Sequence, residues 1–109
     1  MGLASFEYKI VTGASLAVNY TTPPLNVDQM TLGTIQAKWS GSPVGSIQVL
    51  VSNDNITYST YTGSSTSVSG PGDFVWLFDV IQFPWFSVQY TWTSGTGSLN
   101  VTFYGKGPG

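Results

Sequence analysis

Apolar and polar residues alternate with a period of two along this chain, and no stretch sustains a helical stripe for more than a turn or two. Ile35, Ala37 and Trp39 alternate with Thr34, Gln36, Lys38 and Ser40. Ile47, Val49 and Val51 repeat the pattern. So do Phe86, Val88, Tyr90 and Trp92, and again Leu99, Val101 and Phe103. Successive side chains of a strand point to opposite faces, so each run reads as a strand with one face in a core and the other in water.

The punctuation agrees. Ser40-Gly41-Ser42-Pro43-Val44-Gly45 and Ser94-Gly95-Thr96-Gly97 read as hairpin connections. Ser52-Asn53-Asp54-Asn55 is a polar turn cluster of residues that tolerate a left-handed backbone. Thr21-Thr22-Pro23-Pro24 interrupts the early part, and residues 62–72 read as a Ser/Thr/Gly loop. Strands are expected near 5–11, 15–20, 25–29, 32–40, 45–52, 56–61, 73–80 and 84–93, with a ninth at 98–105. That spacing predicts an all-β fold: a two-sheet antiparallel β-sandwich, jelly-roll-like, of about eight or nine strands. No linker or composition shift divides the chain, so residues 1–109 are read as a single β-sandwich domain. A chain of this length buries roughly two-thirds of its unfolded surface and can hold a core unaided.

Composition narrows the chemistry. There is no cysteine, which removes disulfides and thiolate metal sites, and no histidine, the commonest general base and metal ligand. Charged residues make up 7% of the chain, against about 25% in an average domain. They are Glu7, Lys9, Asp28, Lys38, Asp54, Asp73, Asp79 and Lys106. Three lysines, no arginine and a net charge of -2 argue against nucleic acid as a partner, since tracking it means neutralising several phosphates. The apolar runs are too short for a membrane span. Glu7 and the lack of an apolar leader argue against a secretory signal, and Phe6 stands where myristoylation requires Ser or Thr. The chain therefore reads as a complete product made in the cytoplasm, with no membrane partner.

Asp54 and Asp73 invite a paired-carboxylate reading, but their contexts are turns. Asp54 is expected to bind nearby backbone, and Asp73, after Pro71-Gly72, to open a strand. Asn53, Asp54 and Asn55 offer one carboxylate among them and lack the calcium-loop pattern. The expectation is no catalytic residue, no cofactor and no metal. Three glycosylation sequons, at Asn19, Asn55 and Asn100, carry little weight without a secretion signal. The densest feature is aromatic: Phe74-Val75-Trp76-Leu77-Phe78, then Phe83-Pro84-Trp85-Phe86. Consecutive large apolar residues in a strand cannot all enter one core. Either both faces are covered, or some rings are exposed and mark a contact surface. The candidate interface residues are Trp76, Phe78, Phe83 and Trp85. Trp39 is expected in the core, against strands bearing Val49 and Val88, and Trp85 on the opposite face from Phe86.

From Ile35 to Lys106 the chain resembles a β-sandwich module found among bacteriophage virion proteins. The resemblance rests on Ile35-Gln36-Ala37-Lys38-Trp39, Pro43-Val44-Gly45, Val49-Leu50-Val51-Ser52-Asn53-Asp54, Tyr90 through Leu99, and Gly105-Lys106. The Ser-Asn-Asp turn is also similar to one in galactose-binding-like jelly rolls, with Asn55 in the glycine position, Tyr58 in the aromatic one and Gln89 where an arginine belongs. No functional residue is carried over from either. The resemblance implies a virion structural protein, a capsid decoration (cement) protein that binds and stabilises the shell. Its partners would be itself as a homo-trimer and the major capsid protein or other virion proteins, and its location the virion. The other reading is a carbohydrate-binding or host-adhesion module of a tail or fibre, with a glycan as partner.

Overall fold

The computed structural model describes residues 3–108. Ten strands run in chain order: β1 (Leu3–Ser15), β2 (Tyr20–Thr21), β3 (Leu25–Asn26), β4 (Leu32–Gly41), β5 (Val44–Ser52), β6 (Ser59–Thr60), β7 (Thr66–Ser69), β8 (Gly72–Phe78), β9 (Trp85–Ser94) and β10 (Gly97–Pro108). One sheet has the order β1-β10-β4-β8; the other has β2-β9-β5-β6, with β3 also on β9 and β7 also on β5. All pairs are antiparallel. If β2 with β3, and β6 with β7, are each counted as one interrupted edge, the result is two four-stranded layers in jelly-roll order.

The alternating runs face each other across the two layers. Ile35, Ala37 and Trp39 of β4, with Leu99, Val101 and Phe103 of β10, form the inner face of the first sheet. Ile47, Val49 and Val51 of β5, with Phe86, Val88 and Tyr90 of β9, form that of the second; all twelve belong to one buried cluster. Trp39 is therefore core, in the same cluster as Val49 and Val88 of the facing sheet. Along β4 and β8, large and small residues pair: Trp39 with Gly72, Ala37 with Phe74, Gly33 with Phe78. Phe103 has room because two glycines on its own sheet leave it; a Cβ on Gly33 would lie 2.7 Å from its ring and one on Gly105 2.6 Å. At Gly95 the hairpin turn takes φ +81°, a backbone region that favours glycine.

The edges depart from expectation. Residues 16–19 form no strand: β1 runs through Ser15 with two register shifts, and only Tyr20–Thr21 pairs on the second sheet. The stretch 56–61 is mostly loop, with pairing only at Ser59–Thr60. The expected loop at 62–72 contains β7, which pairs with β5 and buries Val68. Where Pro23 and Pro24 split β2 from β3, Thr22 repairs the ladder. Its amide donates to the Val88 carbonyl (2.9 Å), its Oγ1 accepts the Val88 amide (3.0 Å), and its carbonyl accepts the Ser87 hydroxyl (2.8 Å).

Candidate interaction surface

The aromatic segment resolves into two faces of β8. Register with β4 sets Trp76 opposite Ile35, which faces the core, so Trp76 and Phe78 turn inward and are 6% and 4% exposed. The Trp76 indole N–H donates to the buried Ser64 carbonyl (2.8 Å), and Phe78 packs edge-on to Tyr61 and tilted against Phe86. As candidate interface residues these two are corrected: the sheet period consumes them in the core. The surface that the segment does present is made by their neighbours. Val75 and Leu77 face outward at 49% and 69% exposure, and Phe74, at the open end of the inner row, is also exposed.

Phe83 and Trp85 are half-buried. Phe83 lies in the β8–β9 loop, edge-on to Tyr61, beside the Val51–Ser59 region in a shallow cleft of about 240 Å³. Trp85 sits between Asn26 and Ser52, on the face of β9 opposite to Phe86. That outer face of the second sheet bears Ser46, Gln48, Leu50, Ser87, Gln89 and Thr91, and no charged residue. The Gln48 side-chain amide donates to Gln89 Oε1 (2.7 Å) at its centre. A more apolar cleft of about 250 Å³ opens beside it between Pro24, Leu50, Tyr58, Ser87 and Gln89.

The few charges are sorted by position. Lys9, Lys38 and Lys106 all lie on the outer face of the first sheet, with Glu7 and Asp73; Lys38 and Asp73 are direct cross-strand neighbours. Asp28, Asp54 and Asp79 lie in three loops at one end of the strands. The loops of Asp28 and Asp79 are tied together by the Val27 amide on the Pro84 carbonyl (2.7 Å) and the Ile81 amide on the Thr31 carbonyl (2.8 Å).

Asp54 does what turn chemistry requires. Its Oδ1 accepts the amides of Ile56 and Thr57 (both 2.9 Å) and the Ser52 hydroxyl (3.0 Å). These bonds, the Thr57 and Ile56 amides first, hold its carboxyl below the ordinary aspartate value. Asn55 takes φ 59° and its Oδ1 accepts the Tyr58 hydroxyl. Asp54 Oδ1 and Asn55 Oδ1 are thus turned toward the loop's own donors. Asp73 stands at the other end of the strands, so the two acids do not form a catalytic pair. Among the described residues, no group of three or more His, Cys, Asp or Glu is placed to hold a metal.

No protein-family model matches the sequence, and no curated protein matches it. Solved structures do match in fold. SPBc2 prophage-derived protein YomS is similar over 97% of this chain and 96% of its own, at TM-score 0.67 and 15% identity. PBSX exported protein XepA is similar over 95% of this chain and 37% of its own, at TM-score 0.66 and 12% identity. Tobacco streak virus coat protein is similar over 97% of this chain and 86% of its own, at TM-score 0.55 and 6% identity. The chain thus has a β-sandwich fold shared with a prophage-derived protein, an exported protein and a viral coat protein.

Proposed function

We propose that this chain is a virion structural protein, and within that class a capsid decoration protein that binds the shell surface and stabilises it. The observation that carries this reading is the likeness in fold, over nearly the whole chain, to a prophage-derived protein and to a viral coat protein. The surface is in keeping with it. The outer face of the second sheet holds hydroxyls, amides and isolated apolar side chains, and the carboxylates are spread over separate loops and strands, so binding and packing, not hydrolysis, are what it is equipped for. Mass analysis of purified virions tests the role: hundreds of copies per particle are expected, and added protein should raise the melting temperature of particles that lack it. A handful of copies with no effect on particle stability overturns it.

One feature favours a second reading. The cleft between Pro24, Leu50 and Tyr58, rimmed by Thr21, Ser87 and Gln89, offers apolar surface and neutral hydrogen-bonding groups together, which suits a neutral sugar. Binding of the isolated protein to host-wall glycans, lost in Tyr58→Ala and Gln89→Ala, would move the protein to a tail or fibre tip.

A further inference from the structure

A sheet edge exposes unpaired backbone N–H and C=O groups, and proteins that stay monomeric blunt such edges with short strands, bulges, prolines or charges. Three of the four margins of this sandwich are blunted. On β1, Glu7 and Lys9 sit in the strand and the register shifts twice. The β2/β3 margin is two dipeptides split by Pro23 and Pro24, and the β6/β7 margin is also short and interrupted. The fourth margin, β8, is long and has neither bulge nor proline. It pairs with β4 without a register shift over all seven of its residues, from Gly72 to Phe78, contains no proline, and carries its one charge, Asp73, opposite Lys38. Val75 and Leu77 stand exposed on its outer face.

We propose that β8 is an assembly edge that pairs antiparallel with β8 of a second copy about a two-fold axis at Val75, joining two four-stranded sheets into one. The inference rests on the assembly reading above and names the contact. Charge and backbone chemistry select the register. Centred on Val75, all seven residues pair, Val75 meets Val75, and Asp73 meets Leu77 while keeping Lys38 of its own sheet as neighbour. Centred on Trp76, Asp73 would face Asp79 at both ends, and like charges directly opposite destabilise a strand pair. Centred on Phe74, pairing would run into Pro71, which has no N–H to give. The contact is isologous, so it closes at two copies, in place of the trimer that the sequence reading implied.

One seven-residue strand buries less than the roughly 800 Å² per partner of a stable dimer. Free copies therefore associate weakly, and copies already held side by side on a shell meet at high effective concentration and pair.

The test uses the isolated protein. Sedimentation velocity between about 10 μM and about 1 mM, the range of a sub-standard interface, should show the mass rising from 11.7 kDa toward twice that value. Val75→Lys, at an exposed position where the axis would set two lysines directly opposite each other, should abolish the rise while leaving the melting curve in place. Ser5→Lys, on the outer face of β1, should not. Because the chain has no cysteine, single cysteines report the register. Directly opposite residues have Cα atoms about 4.5–5.5 Å apart, within disulfide reach. With oxidised glutathione as the oxidant, Val75→Cys should give a disulfide dimer about tenfold or more faster than Leu77→Cys, whose two copies lie about 13 Å apart along the seam. A monomer throughout the range, a rise that survives Val75→Lys, or cross-linking at 77 as fast as at 75 overturns the proposal. Virion copy number is measured separately: if it is high while the seam fails, the shell alone holds the copies.

Discussion

Two buried tryptophans differ in one hydrogen bond, and that difference should be measurable. Trp39 and Trp76 are nearly equally buried, at 7% and 6% exposure. The Trp76 indole N–H donates to the Ser64 carbonyl at 2.8 Å, whereas the Trp39 indole N–H is buried without a partner among the described residues. Replacing either by phenylalanine removes about three heavy atoms and leaves a partial cavity, costing roughly 1–3 kcal/mol in both cases. At position 76 the change also deprives the buried Ser64 carbonyl of its partner, for about 1–3 kcal/mol more. At position 39 it removes an unsatisfied donor and returns a similar sum. Trp76→Phe should therefore cost at least about 2 kcal/mol more than Trp39→Phe, a large part of a domain stability of about 5–15 kcal/mol. Urea unfolding followed by circular dichroism gives both values; the midpoints should separate while the slopes agree. Equal midpoints, or a lower one for Trp39→Phe, would mean that the Trp39 N–H is satisfied and the reasoning fails. Trp39→Ala, which removes the whole ring, should cost about 3–5 kcal/mol.

Gly33→Ala and Gly105→Ala should each destabilise by about 1–3 kcal/mol by driving a methyl group into the Phe103 ring, and Phe103→Leu in either background should recover part of the loss, as read by thermal melting. Asp54→Ala should speed hydrogen exchange at the Ile56 and Thr57 amides, and Asp54→Asn, which keeps an acceptor oxygen, should speed it less. Because the folded carboxyl is held below its ordinary value, the loop's protection is complete above the usual aspartate range; it should decline progressively as pH falls through that range and be gone once pH has fallen through the lower folded value. A chelator should leave the melting temperature unchanged, and a fall of many degrees would reveal a structural ion.

The layers were legible in the sequence because β4, β5, β9 and β10 each bury one face, and a half-buried strand writes its period into the chain. The edges were not. In β7 a single inward residue, Val68, lies among serines and threonines, too little signal for a strand. The aromatic segment was visible as a surface candidate, but which residues it exposes depends on parity. Both parities of β8 carry large apolar side chains, and only pairing with β4 decides between them. One clue was present: Asp73 and Asp79 share the parity of Val75 and Leu77, and a charge at each end marks the wet face. The pairing of the Gln48 and Gln89 amides had no signal at all, since it joins two strands far apart in sequence.

The sorting of the lysines gives the molecule a chemically distinct side. Every lysine ε-amine projects from the outer face of the β1-β10-β4-β8 sheet, and the opposite sheet's outer face has none. An acylating reagent applied to a particle would therefore read orientation directly. Copies lying with this side against their support would keep Lys9, Lys38 and Lys106 unmodified together, and copies mounted the other way would be labelled at all three.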